Sequence, residues 1–398
     1  MVSSKLIFFT GVYDTLDLFT YEFIREFMNM GYETLEINTN QMSEGLAKLG
    51  KFVQTPVKAA ITFNNLGFNL ELVPGKNIWD ELGIPCINIL MDHPFCYPEA
   101  LKNAPKNAVV LCVDKKHMDY ITRFYPQISV VGFLAHGGIS LDKDLIPIPE
   151  REIDVMYAGG LSRKFVQNVM PKFNQFSFDA KTVADIVFNK LISNPAVTTE
   201  QAIEDTLIQL EVRLSSENLS EVISKLHYVE LLAVSYYREK LIQTMLDAGI
   251  QVYLYGPGWD ICDFVNHPNL VWEGRISAKD VIEKMHHSKI VLNTMTWFKD
   301  GTHDRVFNGM LAGALVVSDE SKYMKEEFLS YPETDIRFAQ MVMFQLNEME
   351  HLAELIKNLL SRPEEMQKIA NNGMYKARER HTWKSRAQEL KEELLNQL

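Results

Sequence analysis

Apolar residues in the first third of the chain come in short blocks separated by amphipathic stretches. The blocks at 6–10, 34–37, 59–63, 86–91, 109–113 and 128–134 are rich in aliphatic and aromatic side chains and too short to be helices. Most are apolar at nearly every position, the pattern of strands covered on both faces. Between them the period changes to that of a helix, over 19–30, 42–49 and 115–124. In the first of these, Phe19, Phe23, Ile24 and Phe27 fall on one stripe. No hairpin turn joins the main strands, so the expected pairing is parallel, with right-handed helical crossovers.

The pattern stops over 142–151, a charged stretch with Pro147 and Pro149, and then restarts. A strand at 154–158 leads into Gly159-Gly160, and a helix is expected from near Ser162. From 180 to 249 there is no strand signal. Ile203, Leu207, Leu210 and Val212 recur at helical spacing, with breaks at Asn194-Pro195 and Ser215-Ser216. Strands return at 251–255, 270–272, 289–294 and 314–318, and the chain is helical from 348 to its end, with Pro363 at a helix start. This predicts an α/β protein of two doubly wound domains. The first covers 1–145. The second covers 151–380, with a helical insertion at about 180–249. A last helix over 381–398 is expected to cross back to the first domain.

At 398 residues the chain is long enough for two cores. Its net charge of −12 argues against nucleic acid as a partner, because phosphate backbones need clustered Lys and Arg. Cys86, Cys96, Cys112 and Cys262 have neither CxxC spacing nor the density of a disulfide scaffold, which fits a reducing cytoplasm. No stretch is apolar enough to span a bilayer, and the opening apolar run is too short for a secretory signal. Contact with a membrane is expected to be peripheral at most. The helices of 180–249 are expected to shape an acceptor site or a homodimer contact. No His/Asp/Glu set has metal-ligand spacing; His117, His286 and His287 lie on predicted helices and read as surface residues.

Ligands of open parallel sheets bind beyond the carboxyl ends of the strands. The most informative segment of this kind is 290–318: strand, loop, short helix from about Asp304 to Ala312, Gly313, strand. Gly301 and Thr302 offer flexible backbone and a capping hydroxyl where the helix starts. His303 and Asp304 flank that start, and Arg305 puts a permanent cation in the first turn. A helix N-terminus with an arginine suits a pyrophosphate. Val306, Phe307, Met310 and Leu311 form the expected buried stripe, leaving Arg305, Asn308 and Gly309 on another face. A close ligand or strand would account for Gly309.

The run Thr302-His303-Asp304-Arg305-Val306-Phe307-Asn308-Gly309 through Asp319 resembles the donor-site signature of GT-B glycosyltransferases, closest to the bacterial spore-maturation Cge-type group. Three further matches occur in order: Val155 to Gly160, Tyr253-Leu254-Tyr255-Gly256-Pro257-Gly258-Trp259, and Trp272 to Ile276. The resemblance implies a GT-B-like fold, two Rossmann-like domains facing across a cleft, and transfer of a sugar from a nucleotide-diphosphate-sugar to a hydroxyl-bearing glycan, cell-surface polymer or protein. A UDP-sugar is the first choice of donor, with no metal and no further cofactor. By position, Arg305 would neutralise the leaving diphosphate. Gly159, Gly160 and Arg163, helped by Lys164, would line the phosphate side. Tyr255, Gly256 and Trp259 form the adjoining turn, and backbone at Arg275 and Ile276 would face the base. Trp259 or Trp297 could stack on a ring. The sequence departs from the retaining pattern, which has two glutamates seven residues apart; Asp300 and Asn308 stand there, so the ribose contact and the anomeric outcome stay open.

Acceptor activation needs a base near neutrality. The first domain offers the Asp92-His93 pair, Asp14 and His136, each with a structural alternative as a cap or a linker contact. A nucleotide-sugar epimerase on the same fold and a non-catalytic sugar-nucleotide or protein-binding module remain as other readings.

Overall fold

The computed structural model describes residues 4–398. The chain divides into two compact units, one running to Ile139 and resumed by Arg380–Leu398, the other spanning Ser140–Glu379. In the first unit the strands are β1 (Lys5–Thr10), β2 (Glu33–Asn38), β3 (Ala59–Phe63), a small hairpin of β4 (Glu71–Val73) and β5 (Lys76–Asn77), then β6 (Cys86–Leu90), β7 (Ala108–Cys112) and β8 (Val130–Phe133). Apart from the hairpin they form one parallel sheet in the order β2-β1-β3-β6-β7-β8. β3, β6 and β7 are buried at every position, as their unbroken apolar runs require. The helices are α1 (Asp14–Asn29), α2 (Met42–Phe52), α3 (Ile78–Leu82), α4 (Pro98–Lys102) and α5 (Lys115–Phe124).

The second unit repeats the architecture. Strands β9 (Ile153–Ala158), β10 (Val252–Tyr255), β11 (Leu270–Gly274), β12 (Ser288–Asn293), β13 (Leu315–Asp319) and β14 (Val342–Phe344) pair in parallel in the order β11-β10-β9-β12-β13-β14. Between β9 and β10 come α6 (Ala180–Ser193), α7 (Thr199–Gln209), α8 (Ser216–Leu226) and α9 (Tyr228–Asp247). The side chains of Asp179, Thr198 and Ser215 accept backbone N–H bonds at the starts of the first three, each supplying one of the partners that an open helix end lacks. α9 runs under the sheet: Tyr237, Leu241 and Met245 share a core with Val155, Leu254, Leu292 and Val317 of the strands. The remaining helices are α10 (Ala278–His286), α11 (Asp304–Leu311), α12 (Lys322–Glu327), α13 (Met349–Leu360) and α14 (Pro363–Arg380).

A final helix, α15 (Trp383–Leu390), belongs to the first unit and packs on α1. The Trp383 ring is fully buried, 4.5 Å from Phe19, 5.2 Å from Phe23 and 5.7 Å from Phe63 between centroids. Gly138 N donates to His381 O at 2.7 Å, and Arg386 Nε to His136 O at 3.1 Å.

Three local readings of the sequence need correction. The hairpin and β14 are additional to the expected strands: the hairpin strands are two or three residues long and largely exposed, and β14 is a three-residue strand within the short apolar run Met341–Phe344. His117 and His286 are buried rather than on the surface, since α5 and α10 lay these positions against neighbouring elements. Burial, with Arg151 nearby, holds the His286 pKa below its ordinary value.

Candidate functional site

In the second sheet the strand order reverses between β9 and β12, which pair directly, with Val155 opposite Ile290. In a doubly wound sheet that reversal leaves a crevice beyond the carboxyl ends, where the two chains turn away from each other. Gly159-Gly160 follows β9. Thr294 follows β12 and leads to the start of α11.

The first of these turns is built on glycine for steric reasons. Gly159 N donates to Tyr255 O at 2.8 Å, tying the turn to the end of β10. Gly256 has φ +134°, and a Cβ there would lie 2.5 Å from Gly159 O. Only glycine meets both conditions. Trp259 is fully buried and its indole N–H donates to Gly159 O at 2.9 Å, so it braces the turn and does not offer a stacking face. Trp272 does the same for the next turn, donating to Gly256 O at 2.8 Å. Tyr255 is buried, while Arg275 is exposed and Ile276 half-buried beyond β11.

Arg305 lies across the reversal. Its Nε donates to Asn293 Oδ1 at 2.8 Å and its Nη2 to Thr294 O at 3.1 Å; a Cβ on Gly159 would sit 3.3 Å from its Nη1. The Tyr157 hydroxyl and the Thr294 hydroxyl bond at 2.7 Å beneath it. Burial holds the Arg305 pKa below its ordinary value, with Arg238 adding repulsion. The helix cap differs from the expected one. His303, not Thr302, caps α11: its Nδ1 accepts from Arg305 N at 3.3 Å, while Thr302 is fully buried. Burial and the Arg305 charge lower the His303 pKa, so the ring is held neutral and can accept. Asp304 Oδ2 accepts from Asn308 Nδ2 at 2.9 Å, and both side chains are buried. Asn308 thus points into the fold, not onto an open helix face. Gly309 is explained by strand approach: a Cβ would lie 2.9 Å from Val316 Cγ2 and 3.2 Å from Val291 Cβ.

Arg163 is drawn away from the turn, pairing with Glu239 of α9 at 3.1 Å, and Lys164 pairs with Asp260. A second cation beside Arg305 does reach the turn, and the sequence did not flag it. Arg238 of α9 is 6% exposed; its Nη1 donates to Gly160 O and its guanidinium lies 5.2 Å over the Trp297 ring. A lone arginine in a long helix carries no motif, and only the packing of α9 brings it here.

In the first unit the strand order reverses between β1 and β3. Asp14 begins α1 just beyond β1 and is exposed. Asp92, after the neighbouring β6, is exposed, and its Oδ2 accepts from Asn64 Nδ2 and from the Tyr97 hydroxyl, both at 2.8 Å. Burial and the Asp92 charge raise the Tyr97 pKa, which keeps it a donor. The structure separates the Asp92-His93 pair. His93 is buried, stacked on Phe95 at 3.7 Å and 4.3 Å from the His117 ring, with its Nδ1 capping Phe95 N. His136 is also buried, 6.3 Å from the Phe19 ring. Among the described residues no group of three or more His, Cys, Asp or Glu could hold a metal ion.

Residues 238–392 match the family model described as "Glycosyl transferase-like". Among solved structures, HepE from Anabaena in complex with UDP and glucose is 13% identical, covering 98% of this chain and 99% of that one, with a TM-score of 0.53. Sucrose-phosphate synthase from Thermosynechococcus elongatus is 9% identical over 99% and 98% of the two chains, with a TM-score of 0.54. An alpha-glucosyltransferase in complex with UDP-glucose and abasic-site DNA is 12% identical over 99% and 100%, also at 0.54. The fold is that of the GT-B glycosyltransferases. No curated protein sequence matches the chain.

Within this GT-B fold, the structure brings Gly159, Gly160, Tyr255, Gly256, Trp259, His303, Asp304 and Arg305 together around one strand reversal. Arg163 pairs with Glu239 instead, and Asn308 is tied to Asp304. Arg238 and Tyr97 join the candidates.

Proposed function

We propose that the chain transfers a glycosyl group from a nucleoside-diphosphate sugar, a UDP-sugar first, to a hydroxyl acceptor such as a glycan, a cell-surface polymer or a protein. The observation that carries this reading is Arg305, held by Asn293 and Thr294 at the reversal of the second sheet with its Nη1 toward the Gly159 turn. In the transfer the acceptor oxygen bonds to the anomeric carbon, the bond from that carbon to the phosphate oxygen breaks, and the diphosphate departs with its electron pair. A fixed guanidinium and the amide end of α11 stabilise that developing charge without reorganising, and no metal is assigned to the step. UDP and glucose in the HepE complex support the donor class. DNA accompanies the alpha-glucosyltransferase, but the charge of −12 here favours another kind of acceptor.

Acceptor binding is assigned to the first unit. Asp92 is the preferred base, being exposed near the reversal of that sheet, with Asp14 second. His93, stacked on Phe95, and His136, buried beside Phe19, serve better as structural residues.

The test is a melting series with UDP, GDP, ADP and dTDP, followed by product analysis with UDP-glucose in the presence and absence of simple glycans. A ligand bound only by the folded state raises the midpoint. UDP is expected to give the largest rise, Arg305→Ala to abolish it, and Asp92→Asn to keep the rise while losing transfer. No rise with any nucleoside diphosphate would remove the reading. An isomerised donor with no transfer product would favour the epimerase, and binding with no turnover the binding module.

A further inference from the structure

Arg238 has no place in the strand-by-strand logic of a doubly wound domain. It is carried by the last helix of the insertion, and it ends at the same glycine turn as Arg305. The two guanidinium groups are close enough for Arg238 to depress the pKa of both Arg305 and His303. Among the described residues, neither arginine forms an ion pair with a carboxylate. Arg238 rests on Gly160 O and the Trp297 ring, and its Nε has no hydrogen-bond partner; Arg305 rests on Asn293 Oδ1 and Thr294 O. Asp304, the nearest acid to Arg305 in sequence, is already engaged by Asn308.

Two like charges brought together at one turn, Arg238 buried and Arg305 partly so, repel each other, and neither is held in a carboxylate pair that offsets the repulsion. Such an arrangement is maintained when an anion completes it, and a second cation is redundant for a single phosphate group. Trp297 strengthens the case: a cation held over a ring face is fixed in place while its outer donors stay available.

We infer that Arg238 is a second anion-binding guanidinium of the donor site, and that with Arg305 it selects donors carrying a diphosphate over those carrying one phosphate. This rests on the donor-site reading above and adds to it a residue and a substrate discrimination. The helical insertion then has a role in the site: it delivers half of the positive charge.

The experiment is calorimetric titration of the full chain with UDP, UMP and uridine, for the wild type, Arg238→Met, Arg238→Lys, Trp297→Leu and Arg305→Met. Arg238→Met is expected to weaken UDP binding by about 10- to 100-fold, the loss of one charged hydrogen-bonding group. UMP should lose much less, so the UDP-to-UMP preference falls, while uridine is unchanged. Arg238→Lys is expected to recover part of the preference. Should Arg238→Met not fold, Trp297→Leu gives the second reading: it leaves both charges but loosens one, and should lower UDP affinity more than UMP affinity. If the UDP-to-UMP preference is unchanged in the folded Arg238 or Trp297 variants while Arg305→Met loses UDP binding, the inference is overturned and the donor site stands. If the wild type binds no nucleoside diphosphate, both fall together.

Discussion

Asp319 ends β13 with its carboxylate enclosed; Oδ1 accepts the Met295 amide at 2.7 Å, and burial pushes the pKa up to about 7. It lines a cavity of about 460 Å³ with Lys299 and Lys322. Because the folded carboxyl holds its proton more tightly than an unfolded aspartate near 3.8, protonation favours folding. That contribution is complete below the unfolded value, fades as the pH rises, and is gone above about 7. Asp319→Asn keeps the acceptor for Met295 and removes the ionisation. Its melting temperature is expected to exceed that of the wild type by a margin that widens between pH 4.5 and 8. A margin independent of pH would show that this carboxyl does not titrate as described.

Among elements, α11 has the most demanding surroundings. Its N-terminal turn presents Arg305 and its C-terminal end is held by Arg151, which donates to Ala312 O at 2.9 Å, to Ser288 O at 2.8 Å and to Ile146 O at 2.8 Å. This buried guanidinium, its pKa lowered to about 10 by desolvation, satisfies carbonyls that the helix and β12 leave open. Arg151→Met would strand those acceptors in the interior. A loss of about 3–5 kcal/mol of stability is expected, read from the denaturant midpoint at unchanged slope. A loss below about 1 kcal/mol would mean that water or neighbours replace the donor.

At the scale of the whole molecule, the last helix decides whether the first unit is complete. Trp383 fills a space walled by Phe19, Phe23 and Phe63, and a Cβ on Gly137 would already be 2.8 Å from its ring. Removing a buried tryptophan costs about 3–5 kcal/mol, a large part of the stability of a domain. A chain ending at residue 379 is therefore expected to lose amide-exchange protection in β1 and β3 while β9 and β12 stay protected. Retained protection in β1 would refute this role for α15.

The sheets were legible because buried parallel strands write themselves as continuous apolar runs, and the start of α11 because glycine, a capping position and arginine follow one another locally. The exposed hairpin leaves no such trace, and the run at β14, Met341–Phe344, is too short to stand out from a helix segment. The same local reading could not distinguish Thr302 from His303 as the cap, nor see that Arg163 turns to Glu239 while Arg238, some 75 residues further on in sequence, takes the place beside Gly160. What the sequence by itself determined is the alternation of elements and hence the class of fold. Only the tertiary structure decided which charges meet, because burial and pairing depend on neighbours that packing, not proximity along the chain, supplies.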